Sequence, residues 1–137
     1  MKNILLFCII LSPLFDKAQT QNTISIYDFV KIKNNHTKEA LYFYEQNWKH
    51  YRDIALKKKY IVSYRLVSVL PDSASDFNLI LITEYADSLS YAKSEENFAQ
   101  IIKETRPNGP LLLNQLKPAD FRINLYYRKM ETIFTSD

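Results

Sequence analysis

HTKEALYFYEQNWKHYRDIALKKKYIVSYRLVSVL, residues 36–70, reads as a long aromatic helix delivered almost directly into a strand. Leu41, Tyr44, Trp48, Tyr51 and Ala55 recur at spacings of three and four, which lines them along one stripe of a helix. Gln46, Lys49, Asp53 and Lys57 fall on the opposite side, so the segment is amphipathic. Glu39 stands in its first turn and Lys57, Lys58 and Lys59 in its last, and each end carries the charge that offsets the helix dipole. That position makes the lysine triplet a helix terminus rather than a nucleic-acid patch. Helix ends of this kind usually carry a glycine one residue past the last turn; here Lys59 or Tyr60 must take that place at a backbone cost.

Working back to the start of the chain, Lys2, the apolar run 4–15 and Ala18-Gln19 have the layout of a secretory signal. Ser12-Pro13 interrupts the run, which is too short to cross a bilayer. The expectation is a signal peptide over 1–18, a polar leader over 19–23, a folded domain over 24–130 and a loose tail over 131–137. Export, to a periplasm or beyond the cell, would remove Cys8, the only cysteine. The remaining chain of about 119 residues must then hold its core without a disulfide, and it is long enough to do so. Losing Lys2, Lys17 and Asp16 takes the formal net charge from +3 to +2, too mild to recommend nucleic acid or an anionic membrane as a partner. The sequence has one glycine, Gly109, so neither a glycine-rich phosphate loop nor a dinucleotide fingerprint can exist.

The other elements follow from pattern. Residues 24–33 predict a strand whose parity Ile24, Ile26, Val30, Ile32 is broken by Asp28, with Tyr27 and Phe29 on its other face. Asn34-Asn35 turns the chain into the helix, and Asn35-His36-Thr37 also matches a glycosylation sequon. Strands are expected over 60–70 and 77–85 around a turn that begins at Pro71. Asp87 or Ser88 caps a second helix to about Glu104, restarting at Ser94 so that Glu95 is not buried. Pro110 is expected to open a short helical piece, LLLNQL, that Lys117-Pro118 stops. The last strand, 121–130, sets Phe121, Ile123, Leu125 and Tyr127 against Arg122, Asn124, Tyr126 and Arg128.

Strand, helix, strand, strand, helix, strand gives an α+β fold: an antiparallel four-stranded sheet with both helices on one face, the ferredoxin-like βαββαβ arrangement. Several strands carry apolar or aromatic residues on both parities, which calls for a partner over the open sheet face. In this element order, in the run NWKHYRDIALKKKYIVSYRL (residues 47–66) and in LITEYAD…EENF (residues 81–98), the chain resembles the dimeric α/β-barrel superfamily, and most its small secreted members of unassigned function. The resemblance implies a homodimer packed sheet against sheet. It transfers no catalytic residue, because no functional motif of the superfamily's monooxygenases or haem-degrading enzymes matches position by position.

The chemistry is correspondingly sparse. His36 and His50 are the only imidazoles, placed at a helix start and on a helix's polar side, so no metal site and no cofactor is expected. Asn47, Trp48 and His50 sit together on one helix, which does not suit a haem-degrading site whose residues come from different elements. The candidate site is instead a pocket with aromatic walls, drawn from Tyr44, Trp48, Tyr27, Phe29, Tyr64, Arg65, Glu84, Tyr126 and Arg128. Arg65 and Glu84, on neighbouring strands, are expected to form a cross-strand ion pair. The function this predicts is non-catalytic binding of a small apolar or aromatic ligand or of a protein. A cofactor-independent monooxygenase-like or haem-handling enzyme is the alternative.

Overall fold

Strand β1, Ile24–Ile32, alternates between two environments, and its parity organises the sheet. The computed structural model describes residues 22–70 and 73–133, so the predicted signal segment lies outside the described residues. β1 runs between β3, Leu79–Tyr85, and β4, Arg122–Glu131, antiparallel to both; β2, Ser63–Ser68, pairs with the other side of β3. The order β2-β3-β1-β4 is the antiparallel sheet expected from the element order. The strands at 60–70 and 77–85 are shorter than the sequence pattern suggests: the ladder of β2 begins only at Ser63 and that of β3 at Leu79.

The long first helix is not one regular helix. It consists of α1, Thr37–Phe43, a π-helical segment, Tyr44–Lys49, and α2, His50–Lys57. The wider π turn turns Asn47 fully into the interior beside Tyr44 and Trp48. It also leaves Leu41, assigned by spacing to the inner stripe, 43% exposed. At the other end Lys59 adopts φ 58°, while the Tyr60 N–H donates to the Ala55 carbonyl (2.9 Å) and the Lys59 N–H to that of Leu56 (3.0 Å). This is the Schellman closure that glycine normally supplies, made here by a lysine.

The second helical region does restart. α3, Ser88–Ala92, is capped by Asp87, whose carboxylate accepts from the Ser90 N–H at 2.7 Å, and α4, Ser94–Thr105, follows with Glu95 exposed. The LLLNQL stretch is not helical. Asn114 and Gln115 have φ of 54° and 57°, which a helix cannot contain, and Pro118 opens the short α5, Pro118–Phe121, instead of stopping a helix. At the tail, Glu131 belongs to β4, and the Thr132 N–H donates to the Thr23 carbonyl (3.1 Å); residues 134–137 lie outside the described residues.

A bulge in β4 breaks the expected alternation there. The register passes from Phe29↔Tyr126 to Val30↔Asn124, so Leu125 is an extra residue. Ile123 therefore shares the open face with Tyr126 and Met130, while Tyr127 lies opposite Asp28 on the helix side. Two core clusters hold the layers together. One gathers Val30, Ala40, Tyr44, Trp48, Leu79, Leu81 and Phe121, and the other Ile24, Ala55, Ile61, Tyr85 and Ile101. Burying each large aromatic side chain contributes about 2–3 kcal/mol.

Candidate functional site

The π-helical segment and the edge strand β2 part enough to leave a cavity of about 570 Å³. Leu41, Tyr44, Glu45, Trp48 and Lys49 form its helix wall, and Tyr64, Arg65, Leu66 and Val67 its strand wall. The Trp48 indole meets the Tyr64 ring edge to face at 5.4 Å. The polar ends of these walls are largely engaged. The Tyr64 hydroxyl donates to Asp53, whose other oxygen accepts from Lys49 Nζ at 2.9 Å. Burial works against ionising Asp53, but these two hydrogen bonds outweigh it and hold the carboxyl below its ordinary value. The same surroundings raise Tyr64, first through burial and then through the bond to Asp53. The cavity therefore offers apolar and aromatic surface, with charge confined to its mouth.

Behind the cavity, between helices and sheet, lies a polar interior. Asp28 is the one charged residue on the helix-facing parity of β1. Burial raises its pKa, and the attraction of Arg52 and Arg122 offsets this only in part. Arg52 lies 4.1 Å from the Trp48 ring and 4.9 Å from that of Phe98, and its Nε donates to Thr83 Oγ1 at 2.9 Å. Burial draws its pKa down to about 10, so it remains cationic at neutral pH. Arg122 donates to the Tyr44 hydroxyl at 2.8 Å, and burial raises that phenol despite the cation beside it.

Of the nine residues singled out from sequence, Tyr44, Trp48, Tyr64 and Arg65 line the cavity together. Tyr27, Phe29, Tyr126 and Arg128 share the opposite face of the sheet. There Phe29 meets Phe77 edge to face (4.9 Å) and lies tilted against Tyr126 (4.7 Å), and the Arg128 guanidinium caps Tyr126 at 4.5 Å. Glu84 accepts from Thr23 Oγ1 at 2.7 Å and Ser63 Oγ at 2.8 Å. It forms no ion pair with Arg65, because the register sets Arg65 opposite Ile82 and Glu84 opposite Ser63. His36 pairs with Glu39 at 3.5 Å. His50 is half-buried rather than fully solvated, and its Nε2 is shielded with no partner among the described residues.

Sequence reasoning passed over Leu41, Glu45, Lys49, Leu66 and Val67 as cavity walls and Arg52 as the cation against Trp48. The break that Asp28 makes in an apolar parity was the one signal of the polar interior.

A β2-β3-β1-β4 antiparallel sheet joined by helical crossovers on one face is decisive. The fold is ferredoxin-like. No protein-family model matches the sequence, and no curated protein matches it. Among solved structures, this ferredoxin-like chain is similar to HapK from Hahella chejuensis. The TM-score is 0.51 at 9% identity, over 83% of this chain and 96% of HapK. Two looser likenesses are to a conserved protein of unknown function from Bacteroides thetaiotaomicron, a "possible oxidoreductase" (TM-score 0.47, 16% identity, 82% and 99% covered), and to a dabb family protein with a ferredoxin-like fold from Mesorhizobium loti (TM-score 0.40, 11% identity, 85% and 100% covered).

Proposed function

We propose that this ferredoxin-like domain is an exported, homodimeric binding protein that holds a small apolar or aromatic ligand between the π-helical segment and β2. The observation that carries the reading is the cavity of about 570 Å³ walled by Leu41, Tyr44, Trp48, Tyr64 and Leu66. It falls within the range of about 300–1,000 Å³ typical of small-molecule sites, and its polar groups are few, as such sites require. Homodimerisation through the open sheet face is supported by the apolar side chains there, among them Ile123, Tyr126 and Met130, each more than 40% exposed.

Trp48 is the only tryptophan of the chain and lines the cavity, so its fluorescence reports occupancy directly. Native mass spectrometry of the chain purified from its own host is expected to find a co-purifying small molecule. Saturable quenching of Trp48 by small aromatic compounds is expected alongside it. A bare mass together with unchanged emission across such a panel would refute the reading.

A second reading, a cofactor-independent oxygenase or haem-handling enzyme, is favoured by Asp28, a carboxyl with a raised pKa in the interior beside two arginines. It predicts oxygen consumption with phenols, quinols or haem that falls in an Asp28→Asn variant. Its haem-handling form adds a Soret band on reconstitution that weakens in His50→Ala. Oxygen uptake and haem absorbance both at background would leave ligand binding as the function.

A further inference from the structure

Strand β2 is an edge of the sheet, and the phase of its ladder fixes which backbone groups lie on its outer side. The Val69 N–H donates to the Asn78 carbonyl at 2.9 Å, in step with Val67↔Ile80, Arg65↔Ile82 and Ser63↔Glu84. In an antiparallel pair, residues bonded in this way alternate with residues whose N–H and C=O both point away. The backbone groups of Tyr64, Leu66 and Ser68 therefore face outward, and among the described residues none has a partner. The cavity reaches the same edge. Four consecutive residues, 64–67, line it, although successive side chains of a strand point to opposite faces. Tyr64 and Leu66 meet it with their helix-facing side chains, so Arg65 and Val67 meet it at the edge.

The two edges of the sheet differ. β4 carries Arg122, Arg128, Lys129 and Glu131, is bulged at Leu125, and has its Tyr127 carbonyl taken by the Arg128 guanidinium at 2.9 Å. Charges, bulges and occupied backbone groups keep further strands from adding to a sheet. β2 has a single charge, Arg65, and an unbroken register from Ser63 to Ser68.

We infer that β2 receives an extended peptide of another protein as a fifth strand, with an apolar or aromatic side chain opposite Leu66 entering the cavity. This rests on the binding reading above and names what carries the apolar group. A residue opposite Leu66 shares its sheet face, so its side chain points under the π-helical segment toward Trp48 and Leu41. Main-chain bonds to the edge supply affinity, and the cavity supplies the choice of side chain. The chain's own ends do not provide this strand. On the reading above, residues 1–18 leave on export. Four residues follow Ile133 beside β4, and at about 3.5 Å each they only match the three strand spacings of about 4.8 Å to β2, with no length left to lie along it.

Three probes, followed by Trp48 fluorescence and calorimetry, test this: a blocked heptapeptide of threonines with a central phenylalanine, the same peptide with a central serine, and toluene as the side chain alone. The phenylalanine peptide is expected to bind at least about tenfold more tightly than either of the others. Methylating one set of its alternate backbone nitrogens should abolish binding, and methylating the other set should leave it within about threefold, because only one set faces β2. Amide hydrogen exchange should slow at Leu66 on binding and stay as it was at Arg65, whose N–H already lies in the ladder. Ser68→Pro removes an outward N–H and no ladder bond, and is expected to weaken the peptide at least about tenfold at unchanged Tm. The pair of methylated peptides decides the matter whether or not that variant folds. If toluene quenches Trp48 and the phenylalanine peptide binds no more tightly than toluene or the serine peptide, the peptide is wrong and the apolar cavity stands. Equal effects of the two methylated sets overturn strand addition. Exchange at Leu66 that slows with rising protein concentration in the absence of peptide gives the edge to a second copy instead. Should neither toluene nor any peptide change the emission, both the peptide and the cavity's binding role fall.

Discussion

Asn47 and Leu111 exchange two hydrogen bonds across 64 positions of sequence: Asn47 Nδ2 donates to the Leu111 carbonyl at 2.9 Å, and the Leu111 N–H donates to Asn47 Oδ1 at 2.8 Å. The same Nδ2 donates to the Phe43 carbonyl at 3.0 Å. One fully buried amide thus joins the π-helical segment to the connection between α4 and α5. The amide is suited to this because it donates and accepts at one site, as a backbone group does.

Replacing Asn47 with Ala is expected to cost about 2–3 kcal/mol, since three hydrogen bonds are lost and buried backbone groups are left unpaired. Asn47→Asp should cost at least as much, because both donated bonds vanish and a charge enters the interior. Urea denaturation monitored by Trp48 emission measures both. A loss below about 0.5 kcal/mol would show that the connection is anchored elsewhere.

Lys59 presents the opposite case. Its left-handed backbone costs a side-chain-bearing residue about 1–2 kcal/mol, part of which glycine's greater freedom in the unfolded chain would offset. Lys59→Gly should therefore stabilise the domain by about 0.5–1 kcal/mol, provided the closure on Ala55 and Leu56 is kept. A thermal melt that falls instead of rising would show that the lysine side chain makes a compensating contact.

The raised pKa of Asp28 makes stability depend on pH in a definite direction. The folded state binds the proton more tightly than the unfolded state does. The resulting stability is fully present below the ordinary carboxylate pKa and is lost as pH rises through the raised one. Asp28→Asn should therefore be more stable than the native chain at pH 7, and the difference should shrink as pH falls into the acid range. An Asn variant that is less stable at pH 7 would mean that attraction to Arg52 and Arg122 outweighs burial.

If the open sheet face joins two copies, Tyr126→Asp sets a desolvated charge within it. Sedimentation velocity at micromolar concentration should then show a dimer for the native chain and a monomer for the variant. A native chain that sediments as a monomer removes the homodimer from the proposed function.

Much of the fold was legible because alternation and helical spacing report burial, and burial built the sheet order from the element order alone. Asp87 and Ser94 likewise announced a cap and a restart that the structure contains. Part of what escaped reading comes from a single residue out of phase. The π-helical segment adds one to the helix and Leu125 adds one to β4, and each changes which side chains share a face. A regular period cannot register such an insertion. The cavity was hidden for another reason: helical spacing already groups Leu41 with Trp48, but it does not show where the helix and β2 part. Arg65 and Glu84 were misread as partners because register is set by the whole ladder and not by strand adjacency.

The π-helical segment also separates two halves of the helix that have different tasks. It stands between α1, whose Leu41 faces the cavity, and α2, whose Ala55 is sealed in the second core cluster. Gaining or losing one residue there rotates the first half of the helix by about 100° relative to the second and leaves the second half seated. A change of length at this point would therefore redraw the helix wall of the cavity and leave the half that packs in the second cluster in place.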